Sequence, residues 1–182
     1  KNNNLMVNEY DYTADKKIML IFDLGTPDNI YIADRIPEVE KSIEIAASVA
    51  VTLINDGIPV GLVTNASCRG FFNRIVVAPD TGNSHAGRIL DLFGRIMYYK
   101  TLTIKESLDL SLEYLTWGTE LMIITPALTE ELLSVLQDYK NYKITIISLN
   151  NKTYEFLPGN VRLFFYSEEG VNDEHDKVHK IS

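Results

Sequence analysis

The 182-residue chain holds one cysteine, Cys68, which excludes an intrachain disulfide and any metal site built from cysteine alone. No histidine or other base stands near it in the sequence, so it reads as an incidental thiol in a loop. Nor is there an apolar stretch near the ~20 residues that span a bilayer. The longest runs, 18–22 and 121–124, are strand-sized, and no membrane contact by this segment is expected. Basic residues are in the minority, 17 Lys and Arg against 25 Asp and Glu, for a formal charge of −8. Nucleic-acid binders carry basic faces, so no such partner is expected. Gly57, Gly61, Gly70, Gly82 and Gly94 are too scattered to build a phosphate-cradling loop, and neither repeats nor low-complexity linkers interrupt the chain. The chain opens on Lys1-Asn2-Asn3-Asn4, without methionine and without a signal peptide. That abrupt start leads to the expectation of sequence upstream, a membrane anchor included.

What is present is enough apolar material, 46% of residues, for one domain with a sizeable core. Apolar runs alternate with segments of helical period, the pattern of a parallel sheet with helical crossovers. The expected strands cover 18–24, 58–63, 74–78, 121–125, 143–149 and 161–166, and residues 5–10 form a lead-in or a short edge strand. A helix over 40–53 would bury Ile43, Ala46, Ala47, Ala50, Leu53 and Ile54, start near Pro37 and end at a left-handed Gly57. Ser84 is expected to cap a second helix through Ile89, Leu90, Leu92 and Phe93, and Thr103 a third through Ile104, Leu108, Leu112 and Leu115. A fourth spans 129–137. The expected architecture is a three-layer, doubly wound α/β domain over 17–166, its sheet mostly parallel with one short edge strand. Residues 1–16 precede it, and a polar tail follows over 167–182. Strand 18–24 should be central, between 58–63 and 121–124, with 74–78 at an edge.

The most informative stretch is Ile18-Met19-Leu20-Ile21-Phe22-Asp23-Leu24-Gly25-Thr26-Pro27. A buried strand here delivers a carboxylate to the carboxyl edge of the sheet, where α/β folds place their sites. Other constellations are weaker. His175 and His179 share a helical spacing suited to zinc, but sit in the polar tail. Ser84 beside His85 suggests a nucleophile and base, yet sequence neighbours rarely align that way, and capping explains Ser84. Ten tyrosines, Tyr10, Tyr12, Tyr98 and Tyr99 among them, suit ordinary partly buried roles.

The Asp23 segment resembles two family openings. One is the Asp-x-Ser-x-Ser metal motif of von Willebrand A-type domains. The other is the Asp-x-Asp-Gly-Thr of haloacid-dehalogenase phosphatases, with Val63-Thr64-Asn65 resembling that group's second motif. Both are damaged here. Gly25 and Pro27 replace the two serines, and Gly25 stands where the phosphatases carry their general acid. A broader resemblance runs over about 5–166, through Val7-Asn8-Glu9-Tyr10, Asp15-Lys16-Lys17, Gly57-Ile58-Pro59-Val60-Gly61, Ala78-Pro79-Asp80-Thr81-Gly82 and Ile123-Ile124-Thr125-Pro126. In order and spacing these segments are similar to the bacterial domain of unknown function fifty-eight family, which has a von Willebrand A-like fold.

The resemblance implies an interaction module rather than an enzyme. It would be a cytoplasmic domain of a larger, membrane-anchored bacterial protein, working with a MoxR-type AAA+ ATPase in complex assembly. It maps the metal-site acid onto Asp23 and the loop threonine onto Thr81, with Thr26 and Asp28 as substitutes, while Thr125-Pro126 stands where an acid is expected. Hard divalent ions need several oxygen ligands, so no cofactor is expected, with Mg²⁺ at Asp23 and Thr81 the weak exception. The expected partner-facing edge comprises Asp23, Gly25, Thr26, Asp28, Thr64, Asn65, Asp80 and Thr81. The alternative is a phosphatase with Asp23 as nucleophile, lacking both its general acid and an acidic pair for Mg²⁺ after Ile124.

Overall fold

Strand β1, Lys17–Phe22, has no polar face, and the structure shows why. In the computed structural model, which describes residues 16–25, 36–70, 74–150, 157–167 and 170–173, β1 lies at the middle of the sheet with helices on both sides. Ile18, Leu20 and Phe22 join one core with helices α1 (Ile36–Asn55) and α2 (Asn83–Phe93). Met19 and Ile21 point the other way, into a core with α3 (Ile104–Leu112), α4 (Glu130–Val135) and the 3-10 helix Leu136–Tyr139. Strand residues alternate between faces, so a strand covered on both sides must be apolar throughout. This is the expected three-layer α/β arrangement.

The remaining strands are β2 (Val60–Thr64), β3 (Ala66–Cys68), β4 (Ile75–Asp80), β5 (Ile96–Lys100), β6 (Thr119–Thr125), β7 (Ile144–Ser148), β8 (Val161–Ser167) and β9 (Gly170–Asp173). The main sheet runs β4-β2-β1-β6-β7-β8-β9. Strands β2, β1, β6, β7 and β8 are parallel, while β4 and β9 close the two edges in antiparallel register. The central position of β1, its two neighbours and the edge placement of β4 are as the sequence predicts. No helix among the described residues is long and apolar enough to cross a membrane.

Helix α1 ends at Gly57 as expected. Gly57 has φ +80°, its N–H donates to the Ile54 carbonyl, and the Ile58 N–H reaches back to Leu53. This pair of bonds is a Schellman closure. The buried face of α1 is rotated from the expected one: Val39, Ser42 and Ile45 are buried with Ala46, Ala50 and Ile54, while Ile43, Ala47 and Leu53 are only partly covered. Ser42 escapes a hydrophobic count because its hydroxyl is satisfied by the Val39 carbonyl, 2.7 Å away.

Four further features differ from the sequence reading. Strand β4 continues through Pro79 to Asp80, where a polar turn is expected. Proline is tolerated there because β4 is an edge strand with an irregular register opposite Val60 and Leu62. Ser84 does not cap α2; Gly82 holds that position without a side-chain bond, and Ser84 lies inside the helix. Residues 170–173, expected in the polar tail, pair with β8, because an antiparallel edge strand needs backbone partners rather than an apolar face. Strands β3 and β5 form a separate two-stranded sheet that the sequence reading omits. The lead-in at 5–10 and the pair His175 and His179 lie outside the described residues.

Candidate functional site

Asp23 leaves β1 at the carboxyl edge, its N–H donating to the Ile124 carbonyl of β6. It is 2% exposed. Two neighbouring strands supply its side-chain partners. Asn65, which follows β2, donates from Nδ2 to Asp23 Oδ1 at 2.5 Å, while its own Oδ1 accepts the Leu24 N–H at 3.0 Å. Thr125, the last residue of β6, places Oγ1 3.1 Å from Asp23 Oδ2. The same Oγ1 lies 2.9 Å from the Ala127 carbonyl.

A hydroxyl carries one proton, so Thr125 cannot donate fully to both acceptors. An ionised Asp23 would share that proton with the Ala127 carbonyl in a three-centre bond, whereas a proton on Asp23 Oδ2 would let Asp23 donate to Thr125 and Thr125 donate to Ala127. Electrostatics favour the second arrangement. Burial pushes the Asp23 carboxyl above its ordinary value of 3.8; the Gly25 N–H, the Lys100 charge and the bonds that Asn65 and Thr125 donate to the ionised form oppose that shift without cancelling it. The Lys100 ammonium, itself largely buried, also pairs with Glu131 of α4 at 3.6 Å.

Gly25 completes the local geometry. Its φ is +60°, and a Cβ built on it would stand 2.5 Å from Thr125 Oγ1 and 2.9 Å from the Ala127 carbonyl. The position where the von Willebrand motif carries a serine therefore has neither the backbone conformation nor the space for a side chain. Thr64 is also committed, since its Oγ1 accepts the Ala66 N–H at 3.0 Å where the chain passes from β2 into β3.

The structure brings Asp23, Gly25, Thr64 and Asn65 together and separates Asp80 and Thr81 from them. Strand β4 is antiparallel to β2, and Asp80 pairs with Val60, at the amino end of β2, while Thr64 pairs with Ile75. Asp80 and Thr81 thus lie at the opposite end of the sheet from Asp23, and Thr81 cannot share a cation with it. The physical reason is strand direction, which an apolar run does not encode. Thr26 and Asp28 lie outside the described residues. Among the described residues no group of three His, Cys, Asp or Glu could hold a metal ion. The donors among the described residues do not fit Mg²⁺ either: one carboxyl with both oxygens engaged, an amide committed to it, and a glycine where a hydroxyl is wanted.

His85 and Ser84 do not form a catalytic pair. Ser84 is exposed, whereas His85 is buried with Nε2 2.7 Å from the Val60 carbonyl, tying the first turn of α2 to β2. Two residues at the carboxyl edge escape the sequence reading, Lys100 and Thr101. The Thr101 N–H donates to the Asn65 carbonyl at 2.8 Å, so the end of β5 delivers both residues there. The signal for them was the short apolar and aromatic run Ile96-Met97-Tyr98-Tyr99 just before the Thr103 cap. Chemically, this edge holds strand tips together around a buried carboxyl that keeps its proton to higher pH than an exposed one. No family model matches the chain, and no curated protein matches it significantly.

Proposed function

We propose that this domain is a non-enzymatic protein-interaction module whose partner docks on the carboxyl edge of the sheet. The observation that carries the reading is the state of Asp23: 2% exposed, with Oδ1 held by Asn65 and Oδ2 by Thr125. A phosphatase nucleophile must be ionised, open to an incoming phosphorus and screened by a cation. Asp23 has a cation near it in Lys100 but is buried, has both oxygens engaged and has its carboxyl pushed above the ordinary value, which favours a structural role for the one residue on which both enzymatic and metal-dependent chemistry would depend. Thr101, exposed and bonded through its N–H to the Asn65 carbonyl, and the 59%-exposed Tyr99 two residues before it on β5 offer contact surface instead. By the resemblance described above, the partner is a MoxR-type AAA+ ATPase, and the domain belongs to a larger membrane-anchored bacterial protein engaged in complex assembly.

The test pairs two assays on the same preparation. Phosphomonoester hydrolysis with Mg²⁺ should stay at the buffer rate, and calorimetric titration with Mg²⁺ or Mn²⁺ should give no high-affinity isotherm. Capture of a MoxR-type ATPase should weaken in Tyr99→Ala and persist in Asp80→Ala, which alters the opposite end of the sheet. Phosphate release abolished by Asp23→Asn would overturn the reading in favour of the phosphatase. Capture indifferent to Tyr99 would remove the carboxyl edge as the docking face.

A further inference from the structure

Where the turn after α2 meets the small sheet, the surface opens into a cleft of about 360 Å³ lined by Arg69, Asp91, Gly94, Arg95 and Ile96. Its geometry follows from the pairing of β3 with β5, extended one step by the Arg69 N–H donating to the Arg95 carbonyl at 2.8 Å. That bond sets two arginines side by side on adjacent strands. Arg95 uses Nε on both oxygens of Asp91, at 2.9 and 2.8 Å, which orients the guanidinium and leaves its terminal Nη groups without a hydrogen bond among the described residues. Its Nη1 is the nearest atom, at 3.8 Å, to a Cβ built on Gly70, so the tip reaches the residue next to Arg69. Among the described residues no hydrogen bond or ion pair engages the Arg69 guanidinium. Two positive groups face one carboxylate, a local surplus of one positive charge on a chain of formal charge −8.

We propose that this cleft seats an acidic side chain of a protein partner, an Asp or Glu carboxylate held by Arg69 and the Nη groups of Arg95, its stem lying against Ile96. This rests on the interaction-module reading and gives the partner's contact a chemical class. Guanidinium groups bind carboxylates through paired, charge-assisted hydrogen bonds, and one oriented by Asp91 loses little freedom on binding. Asp91 also sets the selectivity. It leaves one net positive charge, enough for a carboxylate and poor for a dianionic phosphate, and the acidic chain repels polyanions at long range. Gly94 has no side chain to close the mouth, and Ile96 is half-buried, which suits the methylenes of Glu.

The experiment measures binding of a fluorescent, otherwise uncharged peptide with a single Glu to the intact chain by anisotropy, with the matching Gln peptide and inorganic phosphate as competitors. The expected result is saturable binding that the Gln peptide does not compete and phosphate competes only weakly. Arg69→Gln should weaken it by about tenfold, since truncating one side of a charge-assisted contact acts on the off-rate. Among the described residues the Arg69 guanidinium has no structural bond to lose, so the variant should keep the wild-type unfolding midpoint; Arg69→Lys should recover part of the affinity. Binding unchanged in Arg69→Gln, or equal binding of the Gln peptide, overturns the proposal. Strong competition by phosphate would assign the cleft to a small anion and overturn it too. An intact AAA+ capture alongside a failed peptide assay would discard the cleft alone, whereas phosphomonoester turnover would discard the module reading itself.

Discussion

A buried carboxyl with raised proton affinity makes a sharp prediction about two substitutions at Asp23. In Asp23→Asn the side chain keeps its shape. Its carbonyl accepts from Asn65 Nδ2, its amide donates to Thr125 Oγ1, and Thr125 donates to the Ala127 carbonyl, the pattern inferred for the protonated acid. Stability should stay within about 1 kcal/mol of wild type. Asp23→Ala strands the fully buried Asn65 amide and leaves a void at the tips of three strands. Each unsatisfied buried donor costs about 1–3 kcal/mol, so the loss should reach roughly 3–5 kcal/mol. The pH dependence has a definite sign. Burial raises the folded-state carboxyl above its ordinary 3.8, so over that window the native state binds more protons than the unfolded chain. The contribution of Asp23 is therefore largest at acid pH and falls as pH rises through the raised value. Urea unfolding of wild type and Asp23→Asn from about pH 4 to 8 isolates it, because the other titrating groups cancel in the difference. Wild type should lose ground to the variant as pH rises, by at most about 1.4 kcal/mol per pH unit. An Asp23→Asn variant as unstable as Asp23→Ala, with wild type gaining on it at higher pH, would show an ionised carboxylate and refute the reasoning.

Other positions test other links of the argument. Gly25→Ser, which restores a serine to the damaged motif, should destabilise by roughly 2–4 kcal/mol through left-handed strain and the clash with Thr125, and calorimetry should show no gain of Mg²⁺ affinity. Thr103→Ala removes the capping box in which Thr103 and Glu106 satisfy each other's backbone N–H; denaturant unfolding should register about 1 kcal/mol, with Thr103→Ser close to wild type. Burial pushes the Cys68 thiol up to about 11, so an Ellman assay at neutral pH should find it nearly inert in the native protein and fully reactive in urea.

The sheet was legible where packing alone decides it. Residues 18–22 are apolar at every position, which identifies a strand covered on both faces, and the helical segments between such runs imply parallel neighbours. Legibility failed where backbone bonds or direction decide. Three-residue β3 carries no periodic signal, β9 pairs through its backbone, and nothing in Ile75-Val76-Val77 announces that this strand runs backwards. The last point misplaced Thr81 and Asp80. For the site, the sequence located Asp23 and Asn65 but not their bond. That Thr125 should stand where an acid is expected was visible; its role as the relay between Asp23 and Ala127 depends on a hydroxyl's single proton and on distances only coordinates supply.

The ties around Asp23 also bear on when the domain assembles. The Asn65 bond spans 42 residues of chain and the Thr125 bond 102, so the first waits for the crossover through α1 and the second for β6 to reach β1. Closing such loops costs entropy before any contact rewards it, which places these bonds late on the folding route. Interactions made after the transition state slow unfolding while leaving the folding rate nearly untouched. Asp23 then acts as a latch on an already assembled sheet, and its removal should shorten the lifetime of the native state far more than it delays its formation.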